Sequence, residues 1–219
     1  MMNTLKLVSF ALMVSLSVTG MAQSSSKDKQ AKAELNEKAS KAARKAAKEF
    51  KKEGWQVSPG ALPLEKQLDR AFMYELEVDD DMNPVHVVAE GRSIGENYDA
   101  AKIQAAELAR LQIAGKIGSE TTAMVDNLVA NKQLTSEQAA TVTTTMMESK
   151  SIFSQKLGRL QTVVECYRVL KNKNKEVLVR LVTKEAQVQS IAKEAIRAEL
   201  EKKGVQLSDE LKGKLSADK

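Results

Sequence analysis

Apolar residues recur along this chain in two distinct periods, and the places where one period gives way to the other mark out its elements. Residues 29–52 are rich in Ala, Lys and Glu, and Leu35, Ala39, Ala42, Ala46 and Phe50 recur at spacings of three and four, which predicts a helix. Its apolar face is mostly alanine, so each residue buries little area and light docking or fraying is expected. Gly54 ends the helix, and Pro59, Gly60 and Pro63 punctuate a linker. Pro63 suits the first position of a second helix, whose core face is Leu64, Leu68, Phe72 and Leu76, expected to lie on a sheet.

Residues 79–84 read as an acidic turn. Residues 85–94 read as a strand with Val85, Val87, Ala89 and Gly91 on one face and His86 on the other. Asn97 is placed as the cap of a long helix through at least Lys116, with Ala101, Ala105, Leu108 and Ala109 in one stripe and Ala106, Ile113 and Ile117 beside it. Such small residues predict a close approach to the preceding strand. Gly118 and Ser119 predict a bend before the helix resumes toward Asn131.

Thr135 and Gln138 have capping-box spacing, and Ala139, Val142, Met146, Phe153 and Leu157 keep helical period after them. The β-branched run 141–145 leaves a partly extended segment as the alternative. Residues 160–170 and 176–183 are valine-rich strands joined by the polar loop 171–175, a hairpin in which Val177, Val179 and Leu181 alternate with outward residues such as Arg180. A last helix over 185–203 has Val188, Ile191, Ala192, Ala195, Ile196 and Leu200 on its core side and Gly204 at its end. Leu207, Leu211 and Leu215 add a short amphipathic tail helix. Three strands among long helices predict an α+β fold, a small, mainly antiparallel sheet with one face covered by helices and an Ala/Lys-rich helix in front.

The start of the chain changes the picture of where it works. Lys6, the apolar run 7–18 and the small residues Gly20 and Ala22 have the layout of a secretory leader, with cleavage after Ala22. That run is shorter than the roughly 20 residues needed to span a bilayer. The expected organisation is a leader over 1–22, a basic helical extension and linker over 23–58, one α+β domain over 59–203, and a polar tail over 204–219. Cys166 is the single cysteine, so no intramolecular disulfide forms and no lipid-bearing cysteine stands at the cleavage point. Within its β-branched run it reads as a buried, inert thiol.

Charge and chemistry narrow the function. The net charge is +5, but residues 27–53 hold 10 basic and 5 acidic residues, leaving the folded part close to neutral. A nucleic-acid binder carries a basic face on the domain itself, so nucleic acid is not an expected partner. The basic helix reads first as a solvated face, and weak attraction to an anionic envelope surface is the alternative. One histidine and one cysteine supply neither a zinc site nor a triad, and no catalytic, cofactor-binding or metal-binding residue is assigned. Asp79, Asp81, Asn83 and Glu90 mimic calcium-loop spacing, but Pro84 occupies the position that needs glycine.

Two stretches carry a resemblance. Val87-Val88-Ala89-Glu90-Gly91, followed by Asn97-Tyr98-Asp99-Ala100-Ala101-Lys102 and the alanine-rich helix, resembles the bacterial twenty-kilodalton envelope lipoprotein family over about residues 85–203. Gly54-Trp55, the segment 59–66 and the loop 171–176 resemble secreted proteins of unassigned function from gut-type bacteria. The resemblance implies a compact dodecin-like fold, a periplasmic or outer-envelope location without lipid, and a binding or structural role with no catalytic residues to carry over. The expected function is non-enzymatic: an exported protein that contacts an envelope partner or self-associates. The alternative is a small-ligand or glycan-binding domain, with or without hydrolase activity. Trp55, Tyr98 and Tyr167 are the candidate contact residues.

Overall fold

A computed structural model of the chain describes residues 20–132, 134–148, 150–204 and 209–216. The chain divides into two bodies, residues 1–34 and 35–219. Of the first, residues 20–34 are helical, and the expected cleavage residue Ala22 falls in that stretch; residues 1–19 of the predicted leader lie outside the described residues. The second body holds the sheet and every other element.

In chain order the elements are α1 (Gly20–Lys52, whose residues from Leu35 onward belong to the second body), α2 (Leu64–Leu76), β1 (His86–Gly95), α3 (Tyr98–Ala130), α4 (Ser136–Glu148), α5 (Lys150–Lys156), β2 (Gln161–Val169), β3 (Lys175–Lys184), α6 (Glu185–Lys202) and α7 (Asp209–Lys214). The strands form one antiparallel sheet in the order β1-β3-β2, so the fold is α+β. The hairpin partner β3 is therefore central, and its side chains are buried on both faces. Val177, Val179 and Leu181 face a core built with α3 and α6. Leu178 and Val182 face a second core with Ala43 and Ala47 of α1, Trp55, and Leu64, Leu68 and Ala71 of α2.

Two sequence expectations need correction here. The sheet has helices on both faces rather than one, because α2 lies against β1 and β2 with α1 docked beside it; the buried stripe of α1 is Ala39, Ala43 and Ala47, of which only Ala39 belongs to the expected face. Alanine contributes little area per residue but permits close approach, and Ser40 Oγ donates to Asp69 Oδ1 of α2 at 2.8 Å. Arg180 is not an outward residue either. It lies under α2, with its Nε 2.7 Å from Glu90 Oε2, a terminal nitrogen 3.4 Å from Glu75 Oε1, and its guanidinium over Phe72.

Local chemistry explains the boundaries. Gly54, at φ +84°, ends α1 with its N–H donating to Lys51 O at 3.1 Å while the Trp55 N–H donates to Phe50 O at 3.0 Å. The Phe50 and Trp55 rings meet at 5.7 Å, the apolar contact that accompanies this helix stop. Asn97 caps α3 by accepting from the Asp99 N–H at 2.8 Å. At Gly118 and Ser119 the helix is not interrupted: α3 is helical throughout, with the Ser119, Thr121 and Thr122 hydroxyls bonded back to carbonyls one turn earlier. The capping box forms as expected. The Thr135 N–H donates to Gln138 Oε1 at 2.9 Å, and the Gln138 N–H donates to Thr135 Oγ1 at 3.2 Å. The 141–145 run is helical rather than extended. Arg110 ties α3 to the end of α5 by donating to Ser154 O at 3.1 Å and Gly158 O at 2.8 Å. Leu76, expected in the core, is exposed at the end of α2. Leu215 is buried beside α7, whereas Leu207 lies outside the described residues.

Candidate interaction surface

The three candidate aromatics do not converge. Trp55 is buried on the α1/α2 side of the sheet, with the Arg168 guanidinium 4.8 Å and that of Arg92 5.8 Å from its ring centroid and its Nε1 donating to Glu53. It fills the second core rather than presenting a ligand platform. Tyr98 and Tyr167 do meet, on the α3 side, with ring centroids 5.1 Å apart and edge to face. The Tyr98 hydroxyl donates to Glu165 Oε1 at 2.6 Å and accepts from Ser58 Oγ at 3.0 Å, and Lys102 Nζ reaches the same carboxylate oxygen at 2.8 Å. Burial, and then the bond to Glu165, push the Tyr98 phenol up to about 12. The Tyr98 hydroxyl, Ser58, Glu165 and Lys102 are bonded to one another within the fold, so the cluster fastens the start of α3 to β2. His86, the lone histidine, packs on the Tyr74 ring at 4.7 Å; its Nδ1 lies 3.3 Å from Glu77 Oε2, close enough to pair if charged but off line for a hydrogen bond.

A cleft of about 560 Å³ opens among Asp79, Asn83, Lys116, Glu120, Glu185 and Gln189. Burial raises the Glu185 carboxyl, with Lys116 opposing and Glu120 reinforcing the shift. The remaining groups are engaged locally. Asp79 Oδ1 accepts from the Asp81 and Asn83 amides to shape its turn, and Lys116 pairs with Glu120 at 3.1 Å. No aromatic lines this cleft, so its carboxylates are not joined there by the ring platform that a sugar-stacking site uses.

The two sheet edges differ, and that difference is the main feature of the surface. On β2, the outward Glu165 N–H donates to Gln67 Oε1 at 2.7 Å, and Tyr167 exchanges bonds with the Gln56 backbone at 2.8 and 2.9 Å. Gln67 is itself held by its Nε2 donating to Leu62 O at 2.7 Å. The β2 edge is thus plugged. These outward groups also fix the phase of the sheet, because hydrogen-bonded and non-bonded pairs alternate along an antiparallel ladder. Val164, Cys166 and Arg168 bond to Arg180, Leu178 and Glu176, so Leu181, Val179 and Val177 bond toward β1 at Ala89, Gly91 and Ser93. The backbone groups of Val88, Glu90, Arg92 and Ile94 consequently point away from the sheet. Among the described residues nothing pairs with them.

Beside this open edge lies a groove of about 690 Å³, walled by Glu90, Gly91 and Arg92 on one side and by Leu108, Leu111, Gln112 and Gly115 of α3 on the other. Leu108 is a correction to the core stripe that periodicity predicts: it is 40% exposed and belongs to the groove wall with Leu111 at 39%, while Ile94, at 55%, is exposed near the end of β1. Sequence reading misses Ile94 and Leu111. Their signal is that Leu111 is a large apolar residue off the Ala101, Ala105, Ala109 stripe of α3, and Ile94 one on the opposite face of β1 from Val87 and Ala89. No family model matches this chain, and comparisons with curated proteins and with solved structures also return no match.

Proposed function

We propose that this chain is a non-enzymatic exported protein of the cell envelope that works by holding a protein along the open edge of β1. The observation that carries the reading is the asymmetry between the edges: β2 is closed by Gln56 and Gln67, whereas the 10-residue β1 leaves the outward residues Val88, Glu90, Arg92 and Ile94 unpaired next to apolar side chains of α3. A long bare edge is an aggregation hazard that folded proteins ordinarily blunt, so an open one beside an apolar groove is suited to strand addition. Export is supported by the leader-like start, and envelope placement by the resemblance carried by residues 85–203. The basic face of α1, with Lys41, Lys45, Lys48 and Lys52 exposed, supports weak contact with an anionic envelope surface.

Two measurements test this. The protein recovered from an envelope fraction of a producing bacterium is expected to begin at Gln23; recovery from the cytoplasm with its leader intact argues against export. Affinity capture from that fraction is expected to recover a partner or a further copy with the wild-type chain, and to lose it with Ile94→Pro. Capture that is indifferent to the β1 edge removes the interaction surface.

A further inference from the structure

The geometry points to a second copy of this chain as the occupant of the β1 edge, paired antiparallel about a two-fold axis at Gly91; this rests on the proposed role of that edge in holding a protein. In a two-fold contact, if residue i faces residue j, then j faces i, so a strand that joins its own copy must be complementary to its own reverse. Four of the five outward residues of β1 are placed symmetrically about Gly91, with Glu90 and Arg92 flanking it and Val88 and Ile94 beyond; the fifth, His86, lies at the far end of the strand. Pairing centred on Gly91 sets Glu90 of each copy opposite Arg92 of the other, and Val88 opposite Ile94, twice over. All four stand at positions whose N–H and C=O point outward, so the same register lets each pair exchange backbone bonds.

Neighbouring registers are poorer. Centring on position 90 sets Glu90 against Glu90, and centring on position 92 sets Arg92 against Arg92, like charges directly opposite one another. Charge therefore selects the Gly91 register. Glu90 already holds Arg92 and Arg180 at 2.7 Å each, and an added Arg92 completes a compact cluster of alternating charge around the axis.

The face toward α3 fits the same operation. Around the axis the strand presents Ala89, Gly91 and Ser93 there, small residues that keep it uncrowded. Because the groove beside the edge is walled by Leu108 and Leu111, pairing the edges brings the two grooves together and covers leucines that each copy alone leaves exposed. The result is a six-stranded sheet continuous across the dimer, with the plugged β2 edges at its two outer ends.

The test is the oligomeric state of the full chain as processed by an exporting host, measured by sedimentation equilibrium and by light scattering on a sizing column. The wild type is expected at twice the monomer mass. Two variants probe separate elements: Ile94→Pro removes an outward N–H that only the partner uses, and Leu111→Lys sets two cations facing across the joined grooves. Each is expected to weaken the dimer at least about tenfold, with unchanged circular dichroism. Hydrogen exchange on the wild type alone provides a reading free of any folding defect. The amides of Val88, Glu90, Arg92 and Ile94 are expected to slow as concentration rises.

A dimer that both folded variants leave intact, or outward amides that exchange fast at every concentration, overturns the self-pairing. So does a wild type that stays monomeric at the highest concentration it tolerates. In that last case, capture of a different protein that Ile94→Pro abolishes leaves the β1 edge standing as an interface, whereas capture that ignores it removes that reading too.

Discussion

Gly91 is the residue on which the packing of β1 against α3 turns. A Cβ there would run into the carbonyl oxygen of Ala105 and approach the Ala109 backbone nitrogen to 2.6 Å, and backbone cannot swing aside as a side chain can. Gly91→Ala is expected to lower stability by about 3 kcal/mol, the upper end of overpacking costs, measured as a shift in urea midpoint. Arg180 carries the other large single-residue effect. It faces Glu90 and Glu75 under α2, and burial raises the Glu75 carboxyl while Arg180 pulls it down and Glu90 adds to the rise. Arg180→Met leaves two carboxylates without their counter-ion. The expected loss is about 2–4 kcal/mol, less than for wholly buried pairs because Arg180 keeps some solvent contact. Part of it should return in the double variant with Glu90→Gln, a comparison that urea titration of the single and double variants makes directly. The sequence shows an arginine alternating with valines; that it faces a helix instead of water depends on α1 and α2 covering that side.

At the scale of elements, helix ends follow local chemistry and are legible in advance. The Thr135/Gln138 box closes as its spacing predicts, and Thr135→Ala is expected to cost about 1 kcal/mol and to speed hydrogen exchange in the first turn of α4. The hairpin between β2 and β3 turns with Lys173 at φ +68°, its N–H donating to Leu170 O at 2.9 Å while the Leu170 N–H donates to Asn174 O at 2.8 Å. Lys173→Gly is expected to add about 0.5–1 kcal/mol, since a side chain in the left-handed region costs more than the glycine loses in chain entropy; a rise in thermal midpoint is the readout. The identity of the central strand is not legible in this way. Alternation in 176–183 suggests one wet face, but β3 takes neighbours on both edges and helices on both faces, so its intervening residues are buried as well.

For the molecule as a whole, two groups set the alkaline limit. Burial, reinforced by Glu90, pushes the Cys166 thiol up to about 12 from 9.0, and Tyr98 rises to about 12 from 10.0. The fold therefore holds protons that the unfolded chain has already released. That contribution is fully present below pH 9 and is lost as pH rises toward 12. Unfolding free energy is expected to fall across that window, and Cys166→Ala to delay the onset of the fall toward pH 10, where Tyr98 takes over. Denaturant titrations across the alkaline range check both. Below the transition Cys166, buried and unpaired by any disulfide, should resist thiol reagents until the chain unfolds.

Periodicity, caps and turn residues determined the helices, the three strands and the α+β class, because each of these depends on neighbours two to four positions away in the chain. The leader-like start and the neutral folded part were likewise readable as expectations without coordinates. Tertiary structure alone decided which strand sits in the middle, which edge is plugged by Gln56 and Gln67, and which apolar residues of α3 stay exposed beside β1. These depend on contacts between residues far apart in sequence: Gln67 reaching Glu165 across 98 positions, and α1 folding back over a sheet that begins more than thirty residues beyond its end.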